Sequence, residues 1–285
     1  MGESTGESTG ESTGGKGDGV LYVQKGPATM TEMSSHDLAR AREQTDVVLL
    51  PFGALEAHGD HLPLGTDSME AREICRRAAL SLAASGCPVV IGPVIPFGTS
   101  NFHLGYPGTV SLKPETLIAL SRDVCLSLYQ SGFRRFVFVH GHDGSLPSMM
   151  VAAQILVEET PAAEAMVLNW LTPLSKVYST IQVSKASEGH GGEGETARLL
   201  VTHPELVHPE RSEPFHIASE QMRKLQGPEH IKTGGAIFYS TRKYPNYYIG
   251  TPGLARAETG EKGYAVIVEW ICAVIRRDLF GAVVP

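Results

Sequence analysis

Four short apolar runs dominate the pattern of this chain, at residues 46–52 (DVVLLPF), 89–94, 135–140 (RFVFVH) and 165–170. They are rich in β-branched, aromatic and other apolar residues and read as buried strands. Stretches of helical length separate them: 67–85, with Ile74, Ala78 and Leu82 on one face, 114–132, opened by Pro114, and 145–159. Adjacent parallel strands need a crossover of about a dozen residues, usually a helix, and these intervals supply it. The expected fold class is therefore α/β, a layered α-β-α sandwich with a mainly parallel central sheet. Beyond 170 the pattern predicts a loop rich in Gly and Ser, then a short helix near 195–201 that stops before Pro204. Short strands at 236–239 and 247–249 and a final helix over about 257–277 complete the expectation.

Residues 2–13 are three copies of Gly-Glu-Ser-Thr. With no apolar surface to offset ordering entropy, residues 1–19 are expected to form a disordered tail, leaving 20–285 as a single domain. The net charge of −7 and the lack of a Lys/Arg stripe argue against nucleic acid as a partner. No apolar run approaches the ~18 residues of a membrane span. The N-terminal stretch does not resemble a secretory signal, so the expected compartment is cytoplasmic. Cys75, Cys87, Cys125 and Cys272 are widely spaced with no C-x-x-C pair, and read as reduced packing residues.

In an open α/β sheet ligands sit beyond the carboxyl ends of the strands, which directs attention to three segments. After the first strand comes PFGALEAHGDHLPLGTD, residues 51–67. Glu56 and His58, two apart, point the same way in extended backbone, and Asp67 arrives where a helix starts. After the third strand stands His140-Gly141-His142-Asp143-Gly144-Ser145, and later Glu188-Gly189-His190-Gly191-Gly192-Glu193-Gly194-Glu195-Thr196. Taken singly, each has an ordinary reading: an N-cap at Asp67, loop histidines, a solvated glycine-rich turn. Together, at successive strand ends, they read as a site built from carboxylates and imidazoles.

These residues resemble the creatininase (creatinine amidohydrolase) family. The likeness starts with the 51–67 run and continues through Tyr106-Pro107-Gly108-Thr109, Gly141-His142, His190 to Thr196, and Thr251-Pro252-Gly253-Leu254-Ala255. It implies an amidohydrolase with two divalent metal ions per subunit, on a layered α/β fold, commonly a homohexamer. Matched position by position, Glu56, His58, Asp67 and His142 are the implied metal ligands, with Asp67 bridging. Creatininases proper carry a ligating Glu where this chain has Gly144, so a compensating fifth ligand is expected at Glu193, with Glu195 the second choice. His190 is the expected proton donor to the departing nitrogen, and Glu195, if not a ligand, orients it or accepts the water proton. His103, Asp143, Trp170 and Tyr178 are the expected substrate-binding residues. The nitrogen and oxygen donor set suits zinc first, with manganese or iron as alternatives.

Departures from the family pattern narrow the substrate. Asp60 stands at a common Pro, and residues 178–188 lack the tryptophan that precedes the late histidine in creatininases, which argues against creatinine. The expected activity is hydrolysis of a non-standard C–N amide bond, cyclic or formamide, in a small metabolite by a metal-bound hydroxide. A peptidase trimming a ribosomally made cofactor-precursor peptide is the alternative, and a non-catalytic metal-binding subunit a third reading.

Overall fold

The computed structural model describes residues 29–217, 246 and 248–281. Four strands, β1 (Val47–Pro51), β2 (Val90–Ile91), β3 (Arg135–Val139) and β4 (Glu164–Leu168), form one parallel sheet in the order β2-β1-β3-β4. The helices are α1 (Ser35–Gln44), α2 (Thr66–Ala84), α3 (Pro114–Gln130), α4 (Leu146–Glu159), α5 (Leu171–Ile181), α6 (Glu193–Thr202) and α7 (Ala257–Phe280).

The two-residue period of a strand divides the core into two. Val47, Leu49, Val137 and Val139 point to a face covered by α2, α5 and α7, where Ile74, Leu82, Leu174, Ile267 and Ile271 meet them. Val48, Leu50, Phe136 and Phe138 point to the other face, where Leu117, Leu128, Met149 and Leu156 of α3 and α4 close the layer. This is the expected sandwich, with helices on both sides of a parallel sheet. All four cysteines are free and buried. No helix among the described residues is long and apolar enough to cross a membrane.

Two helices depart from the sequence pattern. Helix α1 fully buries no residue and rests on the core through Leu38 and Ala41 alone among its hydrophobic side chains; Ser34 caps it by accepting from Asp37 N at 3.2 Å. Helix α5 occupies residues expected to form a loop. Its Pro173 falls in the first turn, where a missing N–H costs nothing, and Leu174 fills the core. The last strand ends at Leu168 rather than 170, which places Trp170 at the N-cap of α5. The expected tail at 1–19 and strand at 236–239 lie outside the described residues, as does Tyr247. Tyr248 and Ile249 belong to no strand, and Gly250 makes an isolated bridge with Phe215.

Candidate metal centre

The chain goes from β1 outward to β2 and then crosses back to β3 on the other side of β1. The crevice beyond the carboxyl ends of β1 and β3 is therefore the point where the winding reverses, the usual ligand position in such sheets. Glu56 and His58 leave β1, His142 leaves β3, and Asp67 stands in the first turn of α2. His190 and Glu195 come in at the start of α6. Gly141 allows the two strand-end loops to touch, since a Cβ there would overlap the Phe52 carbonyl oxygen.

The carboxylates and imidazoles converge. Asp67 Oδ1 lies 3.0 Å from His58 Nε2 and Asp67 Oδ2 lies 3.1 Å from His142 Nδ1. Glu56 Oε1 lies 3.3 Å from His142 Nδ1, 3.5 Å from His190 Nδ1 and 3.9 Å from His58 Nε2. Glu195 Oε2 lies 3.7 Å from His58 Nε2. Donor atoms within 4.8 Å of one another form three overlapping triads: Glu56, His58 and Asp67; His58, His190 and Glu195; and Glu56, His103 and His190.

Backbone carbonyls fix which ring nitrogen faces inward. His58 Nδ1–H donates to Glu56 O at 3.1 Å, His142 Nε2–H to Thr99 O at 3.3 Å, and His190 Nε2–H to Ala57 O at 2.8 Å. In a neutral ring the opposite nitrogen then carries a lone pair, and in all three that nitrogen faces the carboxylates. For His58 and His142 this is the outer hydrogen bonding typical of metal-bound histidine, and for His190 it presents Nδ1 to the site as the nitrogen that can exchange a proton. Both oxygens of Glu56 and Oδ2 of Asp67 are buried without a well-aligned hydrogen-bond donor among the described residues.

Charge makes the same demand. Burial opposes ionisation of His58, yet Asp67, Glu195 and Glu56 overcome it and raise its pKa to about 10. Burial likewise works against the charge on Glu56, and His142 still holds that carboxyl well below its usual range. Without a cation these rings would themselves carry the positive charge that balances the buried carboxylates; a bound cation can take that place and leave the rings neutral, with their lone pairs inward. Divalent cations fit the donor set: oxygen and imidazole nitrogen, with no thiolate.

The other expected site residues fall in several places. Glu193 is turned away: it accepts from Val183 N and Ser184 N, both at 2.6 Å. Its carboxylate is used by those amides, and Glu195, which also accepts from Gly191 N at 2.6 Å, reaches the cluster instead. His103 is buried with its ring stacked on His190, centroids 4.0 Å apart, and burial followed by the neighbouring His190 lowers its pKa to about 2. Asp143 pairs with His140 Nε2 at 2.9 Å and keeps half its side chain exposed. Trp170, expected at the substrate, lies in the core, where its Nε1–H donates to His140 O. Tyr178 packs its hydroxyl against Gly194 at the start of α6.

Position 144, where the family resemblance leads one to expect a glutamate, is sterically closed. A Cβ on Gly144 would overlap the Thr99 carbonyl oxygen and lie 2.6 Å from His142 Nε2, so this turn accepts no side chain as it stands. His61, which lies in the first motif and could from sequence have been a supporting hydrogen-bonder, a pocket wall or a substrate contact, makes a supporting bond, and one further feature, an ion pair, escaped the sequence reading. His61 Nε2–H donates to Gly191 O at 2.8 Å, tying the first motif to the loop that presents His190. Glu70 and Arg198 form a buried ion pair at 2.9 Å. The legible signal was their spacing, each three residues after an acidic site candidate on its own helix, Asp67 and Glu195.

Comparison with known proteins bears on this arrangement. Residues 31–275 match the family model described as creatininase, creatinine amidohydrolase. A 3-dehydro-scyllo-inosose hydrolase of Thermotoga maritima is 25% identical over 263 residues, 86% of this chain and 81% of that protein. A mycofactocin precursor peptide peptidase of Mycobacterium tuberculosis is 27% identical over 243 residues, 84% of this chain and 88% of its own length. A crystal structure of creatininase superposes with a TM-score of 0.73 at 22% identity, covering 88% of this chain and 97% of that one. Solved creatininases include a manganese form and a Zn-Zn form.

Proposed function

The chain belongs to the creatininase family, and from that premise we propose that it is a two-metal hydrolase cleaving a non-standard C–N bond, a cyclic amide or formamide, in a small metabolite. The observation that carries this reading is the inward set of imidazole lone pairs facing buried, donor-poor carboxylates. Glu56, His58, Asp67 and His142 would hold the cations, with Glu195 as the fifth donor in place of Glu193. Asp67 suits a bridging role because its two oxygens serve different histidines, Oδ1 toward His58 and Oδ2 toward His142. Zinc leads, with manganese or iron as alternatives.

When bound, the cations supply Lewis acidity toward the carbonyl oxygen and acidify the attacking water. The chain's own residues supply the proton traffic. His190 Nδ1 faces the site while Nε2–H is held by Ala57 O, and the ring is kept in place by a stacked His103 on one side and a tilted His58 at 4.1 Å. It can take the proton from water as the C–O bond forms and return it to the nitrogen as the C–N bond breaks. The products are an acid and an amine. Half-exposed Asp143, held by His140, is the polar group offered to the rest of the substrate.

The route inward favours a small substrate. The side chains of Glu56 and His58 are at most 1% exposed, and the cluster meets the surface through Glu195 at 24% and His190 at 11%. A second reading, a peptidase, is favoured by the relatives named for a precursor peptide. A screen of the metal-loaded protein against cyclic ureides, formamides and short peptides, reading amine release, separates the two. Turnover confined to small amides is expected. Cleavage of peptides alone would replace this reading with the second, metal binding without any turnover would leave a binding subunit, and full activity after metal removal would defeat the mechanism.

A further inference from the structure

We propose that Arg198 is a positioning residue that locks the three ligand-bearing segments into one rigid frame, an inference that rests on the metal-site reading above. Its Nη2 donates to Glu70 Oε2 at 2.9 Å, so α6 is tied to α2. Glu70 lies one turn beyond Asp67, and Arg198 lies one turn beyond Glu195. The pair therefore sits directly behind two of the inward carboxylates.

The same guanidinium reaches the third segment. Its central carbon lies 5.1 Å above the centre of the Trp170 ring, and the Trp170 indole N–H donates to the carbonyl of His140, two residues before His142. Helix α2, helix α6 and the loop after β3 thus meet at one cation. All three side chains are nearly inaccessible: Glu70 2%, Arg198 3% and Trp170 2% exposed.

Energetics argue against a purely stabilising purpose. Taking two charges out of water costs several kcal/mol each, and well-packed apolar residues of similar volume often serve stability as well or better. Here the pair is also incompletely satisfied, since Glu70 Oε1 and Arg198 Nε have no hydrogen-bond partner among the described residues. What an apolar replacement could not supply is direction: a fixed hydrogen bond between α2 and α6 and a fixed tilt against the indole. The outer hydrogen bonds that orient metal ligands carry a typical 10- to 100-fold of metal affinity.

The test uses the full chain loaded with Mn(II), followed by calorimetric titration and by the electron paramagnetic resonance signal of an exchange-coupled manganese pair. In the double variant Glu70→Met/Arg198→Met the thermal midpoint should hold or rise, while manganese binds about 10- to 100-fold more weakly. The coupled-pair signal at stoichiometric metal should give way to that of isolated ions, and excess manganese should restore turnover. Trp170→Phe, which leaves the ion pair and removes the indole N–H from His140, should weaken binding by about 10-fold. A folded double variant with unchanged affinity and unchanged coupled signal overturns the proposal. Should the double variant fail to fold, unchanged binding in Trp170→Phe does so. A wild-type chain that binds no manganese pair at all overturns the site reading itself, which is a distinct result.

Discussion

Helices α3 and α4, on one face of the sheet, bury Leu117, Cys125, Leu128, Met149 and Leu156, and their buried polar groups are two serines, Ser121 and Ser148. Helices α2 and α6, in the opposite layer, bury Asp67, Glu70, Glu193 and Arg198. Both layers close on apolar cores, but the α2 and α6 side adds buried charge where it meets the site. The same strands supply both faces, so the difference comes from what each layer must present at its end. We expect damage to the α3 and α4 layer away from the strand ends to spare the donor cluster, and loss of the buried charges on α2 and α6 to disturb it.

The largest effect should come at the charged end. Glu56→Gln or His142→Ala should abolish binding of the metal pair and cut turnover by on the order of 10³-fold or more, measured by elemental analysis alongside amine release. His190→Asn should keep the metal and lose about 10²- to 10⁴-fold in rate, since it removes proton transfer alone. Retained metal in Glu56→Gln would break the division between the layers.

On the apolar face, Phe138→Ala should cost about 3–5 kcal/mol in urea unfolding. Phe138 is fully buried on that face and stacks on Phe52, centroids 5.0 Å apart. The folded fraction should bind metal as before. A loss of affinity larger than the loss of stability would show that the two layers are coupled.

Acid should act through the charged side. Burial lowers the pKa of His61 from 6.5 to about 4, so the folded state holds this proton less tightly than the unfolded chain. The neutral ring's contribution is complete above pH 6.5 and is lost as pH falls toward 4, an effect of ~3 kcal/mol. In chelator, His61→Gln should flatten the fall in stability across that window. An unchanged slope would remove His61 from the account.

The smallest contrast separates two carboxylates on one turn. Glu195→Gln should weaken metal binding by about 10- to 100-fold. Glu193→Gln should leave it intact and cost about 1–3 kcal/mol of stability, because two buried amides lose a charged acceptor. The reverse outcome would return the fifth donor to Glu193.

The sequence pattern carried the sheet and most of the side chains that converge beyond it for identifiable reasons. Strands buried on both faces are continuous apolar runs, as at 46–52 and 135–140, and the donors follow directly after them. Assignment between Glu193 and Glu195 depended on where α6 begins. The pattern placed that start near 195, whereas the helix opens at 193, and two residues on a helix differ by about 200° in direction. Trp170 was misplaced for a related reason: a strand two residues shorter turns it from the mouth of the sheet into the core. The ion pair between Glu70 and Arg198 joins residues 128 apart, and spacing within one helix cannot name a partner on another.

Gly144 couples one end of the site to the turn it packs against. Because the Thr99 carbonyl and the His142 ring occupy the space a side chain would need, a carboxylate cannot be restored there by one substitution. Placing a carboxylate at 144 requires the turn at 99–100 to be rebuilt first, and on the proposed ligand set, loss of Glu195 before that step would leave the site short of a donor. An engineer exchanging the proposed ligand at 195 for one at 144 therefore has to move both ends at once.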